Sequence, residues 1–275
     1  MAKRLAVITG ASSGIGAEFA RQLAARHFDL LLIARRAGRL ADLCTDLERR
    51  YAIHAEPLAA DLANEADVER IAERLHSEPG LSFLVNNAGF GTKGYFWDAP
   101  IDGQTAMHQV HVMATMRLSH AALANMVERG AGNLVNVSSV SGFALTAGGV
   151  SYCATKAWMN SFTEGLAVDL AAARSGVRVQ ALCPGFTLTE FHDVLGMNRG
   201  RIPGFLWMSP RDVVQASLRG LEQRKVIVVP GRAYQAIRLL LWLLPPSLRR
   251  LSAAGSGRLM ARVSGRSAEH HLPGR

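Results

Sequence analysis

Tyr152 and Lys156 stand four residues apart, and Ser139 precedes the tyrosine by thirteen. Residues four apart on a helix share a face, so Lys156 can bring its ammonium to the Tyr152 hydroxyl. A neighbouring positive charge favours the phenolate and is expected to draw the Tyr152 pKa below its usual value of ~10. The phenol can then exchange a proton with an alcohol or a carbonyl, and Ser139 can hydrogen-bond the same oxygen. A Tyr-x-x-x-Lys spacing alone carries little weight, because many helices contain one. What surrounds it decides.

The chain opens on an apolar run, Leu5-Ala6-Val7-Ile8, which enters Thr9-Gly10-Ala11-Ser12-Ser13-Gly14-Ile15-Gly16, and a helical pattern follows. Strand, glycine-rich turn and helix in that order form a phosphate-binding unit. The glycines let the backbone approach a pyrophosphate, whose charge is met by the helix N-terminus. The spacing is G-x-x-x-G-x-G rather than the more common G-x-G-x-x-G. Gly10, Ser12, Ser13, Gly14, Ile15 and Gly16 are therefore candidate cofactor contacts.

Apolar runs and helical patterns alternate along the chain. Strands are expected at 5–8, 30–33, 53–57, 81–86, 133–138, 178–182 and 226–229, with helices at 37–50, 65–77, 104–129, 151–174 and 210–223 between them. Continuous apolar strands separated by helices predict an α/β fold: a doubly wound parallel sheet of the Rossmann type, covered on both faces. Such a sheet binds ligands beyond the carboxyl ends of its strands. The glycine turn, Asn87–Gly89, Ser139 and Pro184–Thr189 each follow an expected strand. One domain is expected over 1–231, followed by an extension, 232–275.

At this point the chain resembles the short-chain dehydrogenases/reductases. The glycine turn resembles their cofactor turn, and Asn86-Asn87-Ala88-Gly89 their motif at the end of the fourth strand. Ser139, Tyr152 and Lys156 match their catalytic positions, and Pro184-Gly185-Phe186-Thr187-Leu188-Thr189 the segment that holds the nicotinamide. The likeness covers about residues 3 to 230. It implies hydride transfer between a nicotinamide cofactor and a carbonyl or alcohol, with Tyr152 exchanging the proton. Lys156 would both bind the nicotinamide ribose and tune Tyr152. Asp61 and Leu62 would contact the adenine, Val110 would pass behind the nicotinamide, and Thr187 and Thr189 would hold the carboxamide and a nearby phosphate. Asn87, Ala88, Gly89, Pro184 and Gly185 complete the implied cofactor set. One position departs. The family carries an asparagine where this chain has His111, in Gln109-Val110-His111-Val112. That asparagine is linked through a water to the lysine. His111 is open to three readings: a working substitute in a proton route, a weakened relay, or a packed helical histidine.

The second expected strand ends Leu32-Ile33-Ala34-Arg35-Arg36. An NAD enzyme tends to place an acid there for the ribose hydroxyls. Arginine suits a 2′-phosphate, through paired donors and permanent charge. Arg35 and Arg36, helped by Ser13, thus point to NADP.

Composition bounds the rest. Nearly half of the 275 residues are hydrophobic, enough for a substantial core. Cys44, Cys153 and Cys183 are an odd set at no metal-ligand spacing, which fits a reducing cytoplasm and no bound metal. No signal peptide is expected at the start, where four apolar residues follow Lys3-Arg4. The segments 90–100, 143–150 and 191–209 are expected to enclose the substrate and are rich in aromatic and aliphatic residues. They suit an apolar ketone, aldehyde or alcohol, with Arg199 and Arg201 available to an acidic head group. The formal charge of +9 is uneven, since 232–275 holds eight arginines and one acid, Glu269. No nucleic-acid motif accompanies it, and no nucleic-acid partner is expected. The run Leu239–Leu244 before Pro245-Pro246 is too short to span a bilayer. It is expected to pack over the substrate mouth or a subunit interface, with peripheral membrane contact as the other reading. A homodimer or homotetramer is expected. Two further functions stay open, a non-catalytic NADP-binding redox sensor and a membrane-associated interaction protein. The intact Ser139, Tyr152 and Lys156 speak against the sensor.

Overall fold

The computed structural model describes residues 4–250 apart from 93, 192–197, 199, 201, 246 and 249. Seven parallel strands form one sheet in the order β3-β2-β1-β4-β5-β6-β7. They are β1 (Leu5–Thr9), β2 (Asp29–Ala34), β3 (Ala55–Ala59), β4 (Leu81–Asn86), β5 (Asn133–Val137), β6 (Arg178–Leu182) and β7 (Ile227–Val228). The strand order reverses at β1, which pairs with β2 on one side and β4 on the other. That reversal opens a crevice beyond the carboxyl ends of β1 and β4.

Helices cover both faces. On one lie α1 (Gly14–Ala24), α2 (Ala37–Tyr51) and α7 (Pro210–Glu222). On the other lie α3 (Glu65–Ser77), α5 (Thr115–Glu128) and α6 (Val150–Ala172). The alternation of strand side chains divides the core between them. In β1, Ala6 and Ile8 join Phe19, Leu23, Leu40 and Val213, whereas Leu5 and Val7 join Ile71, Leu75, Leu118 and Met126. Every residue of β1 is buried, so this strand reads as a continuous apolar run.

Two of the expected boundaries shift for visible reasons. Strand β3 begins at Ala55 rather than Ile53, because Ala52 takes a left-handed conformation (φ 51°) as it ends α2. Pro57 is tolerated within β3 because that strand is an edge. The expected helix over 104–129 starts earlier, as α4 (Ile101–His108), and passes through one π-helical turn at Gln109–Ala114 before α5. Such turns concentrate at functional sites, and this one carries His111. After β7, helix α8 (Arg232–Leu243) sets Tyr234 against Gly185 of the Pro184 segment.

Candidate active site

Ser139 leaves the end of β5 and caps a short 3₁₀ turn, Val140–Phe143, where its Oγ accepts from the Ser141 amide at 3.1 Å. Tyr152 and Lys156 lie on the first two turns of α6, the lysine buried and the tyrosine half-buried. The Lys156 Nζ donates to the Val137 carbonyl at 2.8 Å and stands 5.8 Å from the centre of the Tyr152 ring. The three residues expected from spacing are therefore brought together.

Their charge states differ from the expectation. Burial pushes the Tyr152 phenol up to about 12, with a Ser139 hydrogen bond opposing the shift. Burial also holds Lys156 down, to about 7. Spacing suggested that the ammonium would lower the tyrosine. In the protein alone both charged forms are disfavoured by the same loss of water.

His111 is fully buried, and both of its ring nitrogens are engaged. The Phe90 amide donates to Nε2 at 3.1 Å, so Nε2 carries no proton. Nδ1 then donates to the Thr155 hydroxyl at 3.0 Å, and Thr155 donates in turn to the Tyr152 carbonyl at 3.0 Å. Burial, and secondarily Lys156 and His108, hold His111 well below the usual histidine range, so the ring is neutral. This differs from a titrating relay: no ring nitrogen is left over for a water, and a proton passing through the ring would have to break one of these bonds. The imidazole also meets the Tyr152 ring edge-on, with centroids 5.9 Å apart. In His111→Leu the Phe90 amide loses its acceptor and the Thr155 hydroxyl keeps only its bond to the Tyr152 carbonyl, at about 1–3 kcal/mol for the group left unsatisfied. The expected result is a lower melting temperature. A leucine variant that melts like its parent but loses turnover would instead identify a relay.

The glycine turn lies at the β1–β4 crevice. Gly10 has φ +64°, and a Cβ there would come within 2.8 Å of the Ala88 Cα. Only glycine combines that conformation with that approach. Gly14, Ile15 and Gly16 form the first turn of α1, with Gly16 against the Gly10 carbonyl. Asn87 fastens the turn by donating through Nδ2 to the carbonyls of Thr9 (2.9 Å) and Gly10 (3.1 Å). The amides of Asn87 and Ala88 both donate to Thr9 Oγ1, at 2.9 and 3.0 Å. Ser13, at the N-cap of α1, makes no side-chain capping bond, unlike Asn64 on α3 and Ser209 on α7. The first amides of α1 thus face the crevice without a cap, as a phosphate site requires. The chain fits a dinucleotide there.

Arg36 reaches the turn, donating to Ser12 Oγ through Nε (3.1 Å) and Nη2 (2.9 Å) and to Ser13 Oγ at 2.9 Å. Arg35 is exposed, and among the described residues no hydrogen bond or ion pair ties it to the turn. Thr189 places its methyl group against Gly14, and Thr187 is buried with its hydroxyl on the Gly185 carbonyl at 3.0 Å. The Pro184 carbonyl accepts from the Val140 amide at 3.0 Å, joining this segment to the Ser139 turn. Asp61 and Leu62 follow β3, where the Asp61 carboxylate accepts from the Ala63 amide and Leu62 is buried. Val110 is buried in the apolar cluster against which Ala88 and Phe90 also pack.

Two residues were missed by sequence reasoning. Glu190 pairs with Arg36 (2.9 Å) and Arg39 (2.6 Å), which hold its carboxyl below the usual range. Its place beside Thr189 was the only local hint. Tyr234 of α8 is buried against Gly185, where a Cβ would collide with the ring, and its hydroxyl accepts from the Phe186 amide at 2.9 Å.

Aromatic side chains rim the mouth. Tyr95 stacks on Trp97 with centroids 5.0 Å apart, Phe191 tilts against Tyr152 at 5.9 Å, and Phe186 lies against Trp207 at 5.4 Å. Trp97, Leu145 and Phe205 are exposed. Arg199 and Arg201 lie outside the described residues. Among the described residues no three His, Cys, Asp or Glu side chains group as metal ligands, and no helix is long and apolar enough to cross a membrane.

Residues 4–199 match the model of the short chain dehydrogenase family. The chain belongs to that family. It is similar to an uncharacterised oxidoreductase of Staphylococcus saprophyticus, 29% identical over 221 residues, 80% of this chain and 92% of the relative. Among solved structures it is similar to a short-chain dehydrogenase from Sphingobium yanoikuyae in complex with NADPH: 31% identity, TM-score 0.79, covering 98% of this chain and 100% of that one. It is also similar to a bulky-bulky ketone specific alcohol dehydrogenase from Comamonas testosteroni: 28% identity, TM-score 0.76, covering 99% and 100%. As a short-chain dehydrogenase the protein is an NAD(P)-dependent oxidoreductase acting on CH–OH groups, and it binds a small-molecule substrate.

Proposed function

We propose that this short-chain dehydrogenase interconverts a bulky, apolar ketone or aldehyde and its alcohol, with NADP as the cofactor and Tyr152 as the general acid and base. The observation that carries the reading is the Ser139–Tyr152–Lys156 cluster beneath an aromatic rim. When bound, the cofactor supplies or accepts the hydride. In the reducing direction the Tyr152 hydroxyl gives a proton to the carbonyl oxygen, which the Ser139 hydroxyl also polarises. A phenol kept protonated suits that task. Lys156, held between charged and neutral forms near pH 7, is placed to meet ribose hydroxyls and to stabilise the phenolate once it forms. His111 acts as a positioning residue, tying the Phe90 turn to α6. The Sphingobium structure contains NADPH, and the Comamonas enzyme is described as specific for bulky-bulky ketones; both support the reading. The test is NADPH oxidation against a panel of ketones and aldehydes of increasing bulk. Turnover confined to small polar carbonyls would overturn the substrate class.

The preference for NADP rests on Arg36, which meets Ser12 and Ser13 where a 2′-phosphate would lie. NADPH is expected to bind at least about tenfold more tightly than NADH, since a charge-assisted, forked contact distinguishes the two. Arg36→Ser is expected to remove most of that difference and Arg35→Ser little of it. Equal dissociation constants for the two cofactors in the parent protein would show that Arg36 does not read the phosphate.

We further propose a catalytic domain over 1–231 with an appended 232–275 segment, a cytoplasmic setting, and a homodimer or homotetramer. Met116 and Val127 of α5 and Val168 of α6 are exposed, and these apolar side chains support self-association. Size-exclusion chromatography with light scattering tests it.

A further inference from the structure

Among the described residues, helix α8 is held by one side and exposed on the other. Its inner side carries Tyr234, whose hydroxyl accepts from the Phe186 amide and donates to the Leu206 carbonyl at 2.6 Å. Arg238 lies over the Phe143 ring at 4.9 Å. Both contacts are to segments that rim the substrate mouth. The expectation of a packed C-terminal helix therefore holds for one side only.

The opposite side repeats with helical period: Arg232, Ala236, Leu239, Leu240 and Leu243. Leu239 is 57% exposed, Leu240 59% and Leu243 63%, and Trp242 beside them is 76% exposed. A cluster of large apolar side chains on one helix is not an ordinary solvent-facing surface. The helix contains no acidic residue, and 232–275 holds eight arginines against one glutamate.

That charge decides between occupants. In a symmetric dimer through α8, each strongly cationic segment would meet another of the same sign, and the two would repel. An anionic bilayer offers an apolar interior to the leucines, an interfacial layer suited to tryptophan, and negative head groups to the arginines. At 12 residues the helix can lie in that interface and cannot cross it. We propose that α8 docks the protein on an anionic lipid surface. Because α8 is fastened to Phe186, Leu206 and Phe143, docking would turn the substrate mouth toward the bilayer, where apolar carbonyl compounds concentrate. The docking itself does not depend on the substrate reading.

The test is sedimentation of the full chain with phosphatidylcholine vesicles, with and without about a third phosphatidylglycerol. Binding is expected to be at least about tenfold stronger on the anionic vesicles and to fall several-fold between about 0.05 M and about 0.5 M salt. The double variant Leu240→Glu, Leu243→Glu is expected to lose binding by about tenfold or more, while its melting temperature and its NADPH oxidation without vesicles stay as in the parent. Tryptophan emission should shift to the blue on binding, and the shift should vanish in Trp242→Phe. Equal binding to neutral and anionic vesicles, or undiminished binding by the double variant, would overturn the proposal. So would a double variant that changes oligomeric state in a protein whose parent ignores vesicles, because a second copy would then cover this face.

Discussion

Tyr152→Phe is expected to lower kcat for carbonyl reduction by about 10²- to 10⁴-fold, the range typical of a positioned general acid. The NADPH dissociation constant should stay within about twofold, because the aromatic ring survives and only the proton donor is lost. The edge contact with His111 and the tilted contact with Phe191 depend on the ring and not on the hydroxyl, so the fold around it is kept. Near pH 7 the variant's melting temperature should change little, because a phenol pushed up to about 12 is neutral there in folded and unfolded protein alike, and only the hydrogen bond with Ser139 is lost. Stopped-flow turnover, fluorescence titration with NADPH and thermal melting give the three readouts. A variant that retains full kcat would rule out Tyr152 as the proton donor.

Lys156→Met is expected to abolish most turnover and to stabilise the protein. The lysine is only 4% exposed, and burial lowers it from 10.5 to about 7. The sign of the pH effect follows from the direction. Between those two values the unfolded chain binds a proton at Lys156 that the folded protein does not, so stability rises with pH across the window and is lowest at and below about 7. At neutral pH the penalty is on the order of a few kcal/mol. Methionine keeps most of the stem volume and has no charge to desolvate. It leaves the buried Val137 carbonyl without that donor, which costs about 1–3 kcal/mol. The net expectation at pH 7 is a melting temperature higher by about 5 °C, with the gain shrinking as pH approaches about 10. Melting curves of both proteins across that range decide it. A variant that melts lower than its parent at neutral pH, or one with an unaltered pH slope, would show that Lys156 is not held near neutrality by burial.

Much of this molecule was legible before any coordinates. The β1 strand, the glycine turn and α1 are local events. An apolar run buried on both sides, a turn needing left-handed backbone at Gly10, and an amphipathic helix each leave their mark within a few residues. The alternation of such units implies a parallel sheet, and a parallel sheet carries the ends of its strands to one edge. Ser139, Asn87 and Pro184 could therefore be placed together without knowing a distance. The tertiary structure decided what depends on water and on partners far along the chain. Tyr152 and Lys156 share a helix face by spacing, but their charge states come from the protein packed around them, which the spacing does not describe. His111 meets groups 21 and 44 positions away, and those two bonds set its tautomer. Arg35 and Arg36 are equal as letters, and only the path of the chain into α2 turns Arg36 onto the glycine turn, with Glu190 approaching from 154 residues on. The leucines of α8 carry the same apolar signal as those of the core. Which of them would be covered was decided by Tyr234 seating itself over Gly185, a contact across 49 residues that turned one side of the helix inward and left the other facing out.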